Sequence, residues 1–506
     1  MKKLDCETCG LASASGCKSP NMPLGGYGRK KHLYIAEAPG KIEDQYNKQL
    51  IGDAGTLFEL ILKDETGIIL NRDGHKFDAV NCKPPRNRTP KVKEINCCRQ
   101  KVFDVIQQIQ PEKIFLLGAT ALRSIYGHRT SDIGKIGKWV GKKIPDQLLK
   151  TWVFPTYHPS YLLRMKNQKK QIAVPLEWQI RKHLREAVQW NEPFPDYSND
   201  EKEIKIITDR LNSLSFLRSV PGNYRKLFFD YETTGLKPHV NGHKIVCASM
   251  ALSDMDVYSF PIFYDREFIE ALEAILTNPM IDKGAHNLKF EDAWTRIIFG
   301  FKVRGWFFDS MEAAHVIDNT PDTTGLKFQS ISNFGIVGYD NDIKKYLKAK
   351  EKNGNAFNKI MEIWKEDPLK VLLYCGMDSK LEYRLHEVQE KKLDEMKLRN
   401  GFNFMMDGIY ELCEIEQNGI SIDKQHYEKH IISLNRKLDK LDKRLHDTDE
   451  ARLFQTKEKK NLNIRSDKQL IKLFYTYMKY KPTKFTDKGN ISIDETVLSN
   501  IGIPFT

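Results

Sequence analysis

The stretch 227–236, LFFDYETTGL, constrains this chain most. Leu227, Phe228 and Phe229 run into Asp230, one residue separates Asp230 from Glu232, and Thr233–Thr234–Gly235 break the run. That texture predicts a buried strand, and because side chains alternate with a period of two, both carboxylates leave the same face. Two carboxylates on one face of a buried strand repel each other, and a divalent cation relieves the repulsion. The spacing alone fits an ordinary acidic turn equally well. What separates the two readings is whether further carboxylates arrive downstream in suitable local structure.

They do. After strands expected at 245–252 and 257–262 and a helix at 268–276, the segment KGAHNLKFED (283–292) predicts a short strand ending near His286. A helix then begins, with Glu291 and Asp292 near its start. The segment LLYCGMDSKLEYR (372–384) reads as a helix that puts Tyr374 and Asp378, four residues apart, on one face. DxE, then HNxKFE/D, then YxxxD resembles the three-part signature of the DEDDy 3′–5′ exonucleases, and more narrowly the proofreading domain of family A DNA polymerases. The resemblance covers about residues 224–390 and implies a ribonuclease H-like α/β domain. It implies that Asp230, Glu232 and Asp378 hold two Mg²⁺ or Mn²⁺ ions, which clamp the attacking and leaving oxygens of an in-line displacement. It also implies that Tyr374 orients the attacking water and that His286 and Asn287 position the substrate strand. The second-motif acid directly follows the aromatic, which makes it Glu291 where Asp is more usual, with Asp292 the immediate alternative. Asp309 reads as structural.

The nine cysteines are unevenly placed: Cys6, Cys9, Cys17, Cys82, Cys97 and Cys98 fall in the first 98 residues. An odd count in a cytosolic chain argues for a metal site rather than disulfides. Cys247, Cys375 and Cys413 read as small buried hydrophobes. Cys6 and Cys9 form a CxxC pair, and Cys82 and Cys98, sixteen apart, flank a basic, proline-rich segment. Four thiolates from two distant segments close either a zinc site or an iron–sulfur cluster, and spacing does not separate the two. Short strands expected at 32–36, 113–117 and 152–156 run into small or polar loops, so this region reads as an open α/β sheet with its ligand site at those loops.

EAPGKIED, NCKPPRNRTP and HPS, with the CxxC and the sixteen-residue spacing, resemble the family 4 uracil-DNA glycosylases over about residues 1–165. The resemblance implies an α/β/α domain with a [4Fe–4S] cluster on Cys6, Cys9, Cys82 and Cys98. It also implies a flipped-base pocket built from the loop Glu37 to Gly40, Glu43 and His158. Three positions depart from the family. Ala36–Glu37 replaces the usual Gly-Glu, Leu50 stands where an aromatic stacks on uracil, and Asp78 stands where an Asn reads the base edge. An Asn amide donates to O4 and accepts from N3–H, whereas an ionised Asp only accepts. The lost stack costs roughly 1–3 kcal/mol and the unpaired group a similar amount. Weak or absent uracil excision is therefore expected, with a working glycosylase as the alternative.

Past residue 396, IEQNGISID, SDKQLIKLF and TDKGNISIDETVL resemble the start of the thumb of family A polymerases. Ile431, Leu434, Leu438, Leu441 and Leu445 recur at helical spacing and predict a long amphipathic helix. No acidic palm motif and no fingers helix follow before Thr506. The expectation is the N-terminal part of a phage replicative polymerase, as a fragment or as one subunit working with a separate palm–fingers chain. A non-catalytic DNA-binding subunit is a further alternative. The chain thus divides into a glycosylase-like domain (1–190), a linker (191–223), an exonuclease domain (224–395) and a helical thumb segment (396–506).

With 506 residues, several domains are needed. The net charge of +13 points to a polyanionic partner, DNA above all: a single-stranded 3′ end and a primer–template. No stretch of roughly 18 apolar residues exists, so no membrane span is expected. The start, MKKLDCETCG, has no secretory signal, and the expected location is the cytoplasm, that of the host if the source is a phage.

Overall fold

Strands rich in apolar residues on both faces build two sheets, one after the other, in the computed structural model of this protein. It describes residues 6–14, 16–130, 133–349, 354–485 and 491–501. The first sheet comprises β1 (His32–Ala36), β2 (Gly74–Asp78), β3 (Lys113–Leu117), β4 (Ile144–Asp146) and β5 (Thr151–Thr156), in the order β2-β1-β3-β5-β4. All pairings are parallel except that of the edge strand β4. Parallel strands need crossovers, and the helices cover both faces. Helices α1 (Asp53–Thr66), α2 (Val92–Ile109) and α3 (Ala173–Gln189) supply these layers. Leu33 and Ile35 of β1 share a core with Val102 and Ile106 of α2. Tyr34, between them, points the other way. Its core holds Phe58 of α1, Leu176, Ile180 and Leu184 of α3, and the rings of Phe115 and Phe154.

The second sheet comprises β6 (Ile204–Ile206), β7 (Lys226–Thr233), β8 (Ile245–Ala251), β9 (Val257–Pro261), β10 (Asp282–Ala285) and β11 (Trp306–Asp309), in the order β11-β10-β7-β8-β9-β6. β8 runs antiparallel between β7 and β9, while β7, β10 and β11 are mutually parallel. Its helices include α4 (Arg210–Asn223), α5 (Leu288–Trp294), α6 (Leu326–Phe334) and the long α7 (Pro368–Glu395), which lies across β7, β8 and β9.

Two expected boundaries are corrected. Residues 200–223 are not linker: β6 pairs in parallel with β9, and α4 packs on the helix Arg266–Leu276. Three residues of strand carry no readable period, which is why β6 escapes a sequence reading. The second correction is at 395. Helix α8 (Arg399–Asn418) buries Phe402, Met406, Ile409 and Cys413 in the core of the second sheet, so residues up to 417 belong with it.

The two sheets share side chains. Phe328 and Ile331 of α6 are buried in the core of the first sheet, where Phe328 meets Trp139 edge-on at 5.0 Å. Gly335 closes α6 at φ +65°, and a Cβ there would overlap the Pro145 carbonyl of β4. Residues 1–417 form one compact unit.

Residues 418–506 form a second unit. Helix α9 (Lys424–His446) is the expected amphipathic helix, but Ile431, Leu434, Leu438 and Leu441 are each more than 50% exposed, and of that stripe Leu445 alone is buried. The small core of this unit gathers Ala451, Phe454, Leu470, Leu473 and Phe474. Part of the expected thumb run, 486–490, lies outside the described residues. Among the described residues no helix is long and apolar enough to cross a membrane.

Candidate active sites

The carboxylates read from the three motifs meet at one face of the second sheet. Asp230 and Glu232 leave β7 on the same side, and Asp378 reaches them from α7. One oxygen from each of the three lies within 4.8 Å of the others. Glu232 and Asp378 are buried and Asp230 is half-buried. Burial pushes the Asp230 and Glu232 acids well above the usual carboxylate range; Asp378 raises Asp230 further, and Asp230 raises Glu232. A dication among these oxygens would reverse that penalty, so the donor set fits a hard metal ion.

The neighbouring pair Glu291 and Asp292 separates clearly. Glu291 feels the charge of the cluster: burial and then Asp230 hold its acid well above the usual range, and its Oε2 is buried without a hydrogen-bond partner. Asp292 turns away to Arg296, at 2.5 Å, which in turn meets Glu414. Tyr374 stacks near Tyr339 and lies among Asp378, Glu232 and Asp230. His286 bonds the Ser310 hydroxyl through Nδ1 at 2.8 Å, and burial lowers its pKa to about 3, so the ring is neutral. Asn287 caps α5 at φ +73°, and its N–H donates to Asp309. Asp309 also accepts from the N–H groups of Leu288, Met311 and Glu312. That is a bracing role, as its sequence context suggests.

Three groups at this site have no counterpart in the sequence reading. Glu382 lines the same cleft, four residues beyond Asp378 on α7, and burial with Asp230 and Glu291 nearby keeps its acid well above the usual range. The row Tyr374, Asp378, Glu382 at intervals of four was available as a signal. Lys327 of α6 donates to Asp378 Oδ1 at 2.5 Å and to the Tyr339 hydroxyl at 2.6 Å. The Tyr339 hydroxyl donates to the same Oδ1 at 2.5 Å. Neither Lys327 nor Tyr339 stands in a motif, and only the fold brings them here.

At the carboxyl ends of the first sheet a second pocket, of about 420 Å³, is lined by Glu37, Gly40, Glu43, Leu50, Asp78 and His158 among others. All six sequence-predicted residues therefore share one cavity. The Glu43 carboxylate accepts from the N–H groups of Gly40, Ile51 and Gly52, at 3.1, 3.2 and 2.7 Å, and so braces two loops. Glu37 accepts from the Thr120 hydroxyl at 2.8 Å, and burial raises its acid. Leu50 is buried at φ +49°, a left-handed conformation that a branched side chain adopts at a cost. His158 Nδ1 accepts from the Ser160 N–H, which leaves the ring proton on Nε2, and burial lowers its pKa to about 4. Burial first, then Glu43 and Glu37, hold the Asp78 acid well above the usual range, which favours the neutral form over the ionised acceptor expected. A neutral carboxyl both donates and accepts.

The thiols of Cys9, Cys82 and Cys98 share an apolar pocket with Leu11, Val80 and Ile95. Burial raises all three, Cys98 to about 12, and each feels at least one other thiol. Cys6 and Cys82 both contact Asn21, at 3.5 Å and 3.3 Å. Cys17, absent from the expected set, packs against the same apolar cluster, and its charge raises Cys82. Cys97 instead meets the Thr8 hydroxyl at 3.7 Å.

Both regions match known families. A model of the uracil DNA glycosylase superfamily matches residues 23–179. The type-4 uracil-DNA glycosylase of Thermotoga maritima is 35% identical over 141 residues, which are 27% of this chain and 68% of that enzyme. The chain belongs to the type-4 uracil-DNA glycosylase family. A second relative, from Sulfurisphaera tokodaii, is 32% identical over 33% of this chain and 75% of its own. Beyond the glycosylase-family module, a model of the 3′–5′ exonuclease family matches residues 203–394, which begins where the structure begins β6 rather than at 224. The DNA polymerase of Bacillus phage SP01 is 24% identical over 92% of this chain and 53% of the polymerase. The chain is thus a phage DNA polymerase homologue with a glycosylase-family module and an exonuclease-family module, and it spans about half the length of that polymerase.

Proposed function

We propose that residues 200–417 act as a metal-dependent 3′–5′ DNA exonuclease, the proofreading part of a family A polymerase. The observation that carries this reading is the meeting of Asp230, Glu232 and Asp378 within 4.8 Å, and the charge of Asp230 reaches Glu291. These carboxylates would hold two Mg²⁺ or Mn²⁺ ions, which when bound supply Lewis-acid activation of water and stabilise the leaving oxygen. The Tyr374 phenol orients the attacking water. His286, neutral and with Nε2 unpaired, offers a hydrogen bond to the substrate strand. The substrates are a single-stranded 3′ end and the end of a primer–template, in keeping with the net charge of +13. A separate palm–fingers chain is the proposed partner for synthesis.

The test is a 5′-labelled single strand with Mg²⁺. Stepwise shortening from the 3′ end is expected, with a loss of at least about a hundredfold in Asp230→Ala with Glu232→Ala. Degradation that persists in the double variant overturns the assignment.

For the glycosylase-family module the proposal is a retained fold with weak uracil excision, because Leu50 offers no aromatic face for a base. Cys6, Cys9, Cys82 and Cys98 would hold a [4Fe–4S] cluster. The donor set supports it: the thiols of Cys9, Cys82 and Cys98 share one apolar pocket, and Cys6 and Cys82 meet at Asn21. Absorbance near 400 nm that bleaches on reduction is expected, at roughly one cluster per chain.

A further inference from the structure

The cleft beside Asp230 carries its own cation. Lys327 lies on α6, whose Phe328 and Ile331 are buried in the core of the glycosylase-family module. The ammonium is therefore delivered to the exonuclease cleft by a helix anchored elsewhere. It sits over the rings of Tyr339 and Tyr374, at 4.0 and 4.3 Å, and pairs with Asp378 at 2.5 Å. Its charge also reaches Asp230 and Glu232. Lys327 and the Tyr339 hydroxyl both donate to Asp378 Oδ1, and two donors occupy the lone pairs of that oxygen.

Five acids gather here: Asp230, Glu232, Glu291, Asp378 and Glu382. An ammonium held among them does what a metal ion would do, at lower charge. A divalent ion arriving at Asp378 meets that ammonium a few ångströms away, and like charges repel strongly where water is scarce.

We propose that Lys327 is a built-in counter-cation of the acid cluster, which holds Asp378 when no metal is bound and competes with the divalent ion for it. The inference rests on the cleft being a metal site. A substrate strand brings phosphate charge that draws the ammonium from Asp378, so metal and DNA bind with positive coupling. Lys327 is a positioning residue in this scheme, and α6 ties its placement to the neighbouring module.

The experiment is Mn²⁺ binding to the full chain, followed by electron paramagnetic resonance of the free ion. It compares wild type, Lys327→Met, Lys327→Arg, Tyr339→Phe and Asp230→Asn. Lys327→Met is expected to bind Mn²⁺ about tenfold more tightly, the worth of one partly buried charge pair. Lys327→Arg, which keeps the charge, and Tyr339→Phe, which removes only the neutral donor, should stay within about threefold of wild type. In the absence of metal, Lys327→Met should melt at a lower temperature than wild type, and saturating Mn²⁺ should close the gap. Lys327→Gln repeats the comparison should the Met variant not fold. If Mn²⁺ affinity is unchanged or weaker in Lys327→Met while Asp230→Asn loses it, the counter-cation is wrong and the metal site stands. If Asp230→Asn binds as wild type does, both fall.

Discussion

Glu291 and Asp292 are adjacent, and their partners separate them: Asp292 pairs with Arg296, while Glu291 feels Asp230. Glu291→Ala is expected to slow metal-dependent degradation by about a hundredfold. Asp292→Ala should leave the rate within about threefold and instead destabilise the fold by about 1–3 kcal/mol, because Arg296 loses its nearest partner. Single-turnover rates and urea melts on the two variants measure the split. A linear sequence offers two acids side by side, and only the fold says which one feels Asp230. Asp78 is the other residue whose chemistry needed the fold. Its folded-state pKa is raised above the unfolded value, so the neutral acid's contribution to stability is fully present below the unfolded pKa. That contribution is lost as pH rises through the folded pKa. Asp78→Asn carries no such titration. The stability of the variant relative to wild type should therefore increase from about pH 4 upward, as read by urea melts across that range. Equal slopes for the two proteins would show that Asp78 is ionised in the folded pocket. The residue types of both sites were legible because carboxylates, thiols and a histidine stand in spaced motifs. Lys327 and Tyr339 were not, because nothing in the local pattern marks a lysine that meets an acid 51 residues away.

Elements with a strong period or a long apolar run were readable, and short ones were not. β1 and β3 match the expected bounds, 32–36 and 113–117, because both of their faces are buried and nearly every position is apolar enough to show it. β2, GHKFD, contains a glycine and a buried lysine, and it is a strand only because β1 pairs with it. β4, IPD, is an edge strand where a proline is tolerated. β6 has three residues. Helix α6 is the element on which the two modules depend together. Phe328→Ala removes a ring from the core around Trp139 and should cost about 3 kcal/mol. Because that core holds α6 in place, the variant should melt in one transition at lower temperature, monitored both by Trp fluorescence and by Mn²⁺ binding. Two separate transitions, with the exonuclease-family module unaffected, would show that the modules fold independently.

At the scale of the molecule, the order of the modules was readable from their motifs, and the fold moved two of their edges, to about 200 and 417. Those edges were hidden for one physical reason: both fall in segments whose apolar residues are buried by distant parts of the chain rather than by a neighbour in sequence. Ile204 and Phe402 become core residues only once the second sheet exists. The shared helix α6 also bears on inheritance. Deleting the first module from such a chain would strip Phe328 and Ile331 of the packing around Trp139, on a helix that carries Lys327 into the second. On the proposed exonuclease role, selective pressure on the second module alone acts on the packing that the first supplies, whether or not any base is ever excised in its pocket.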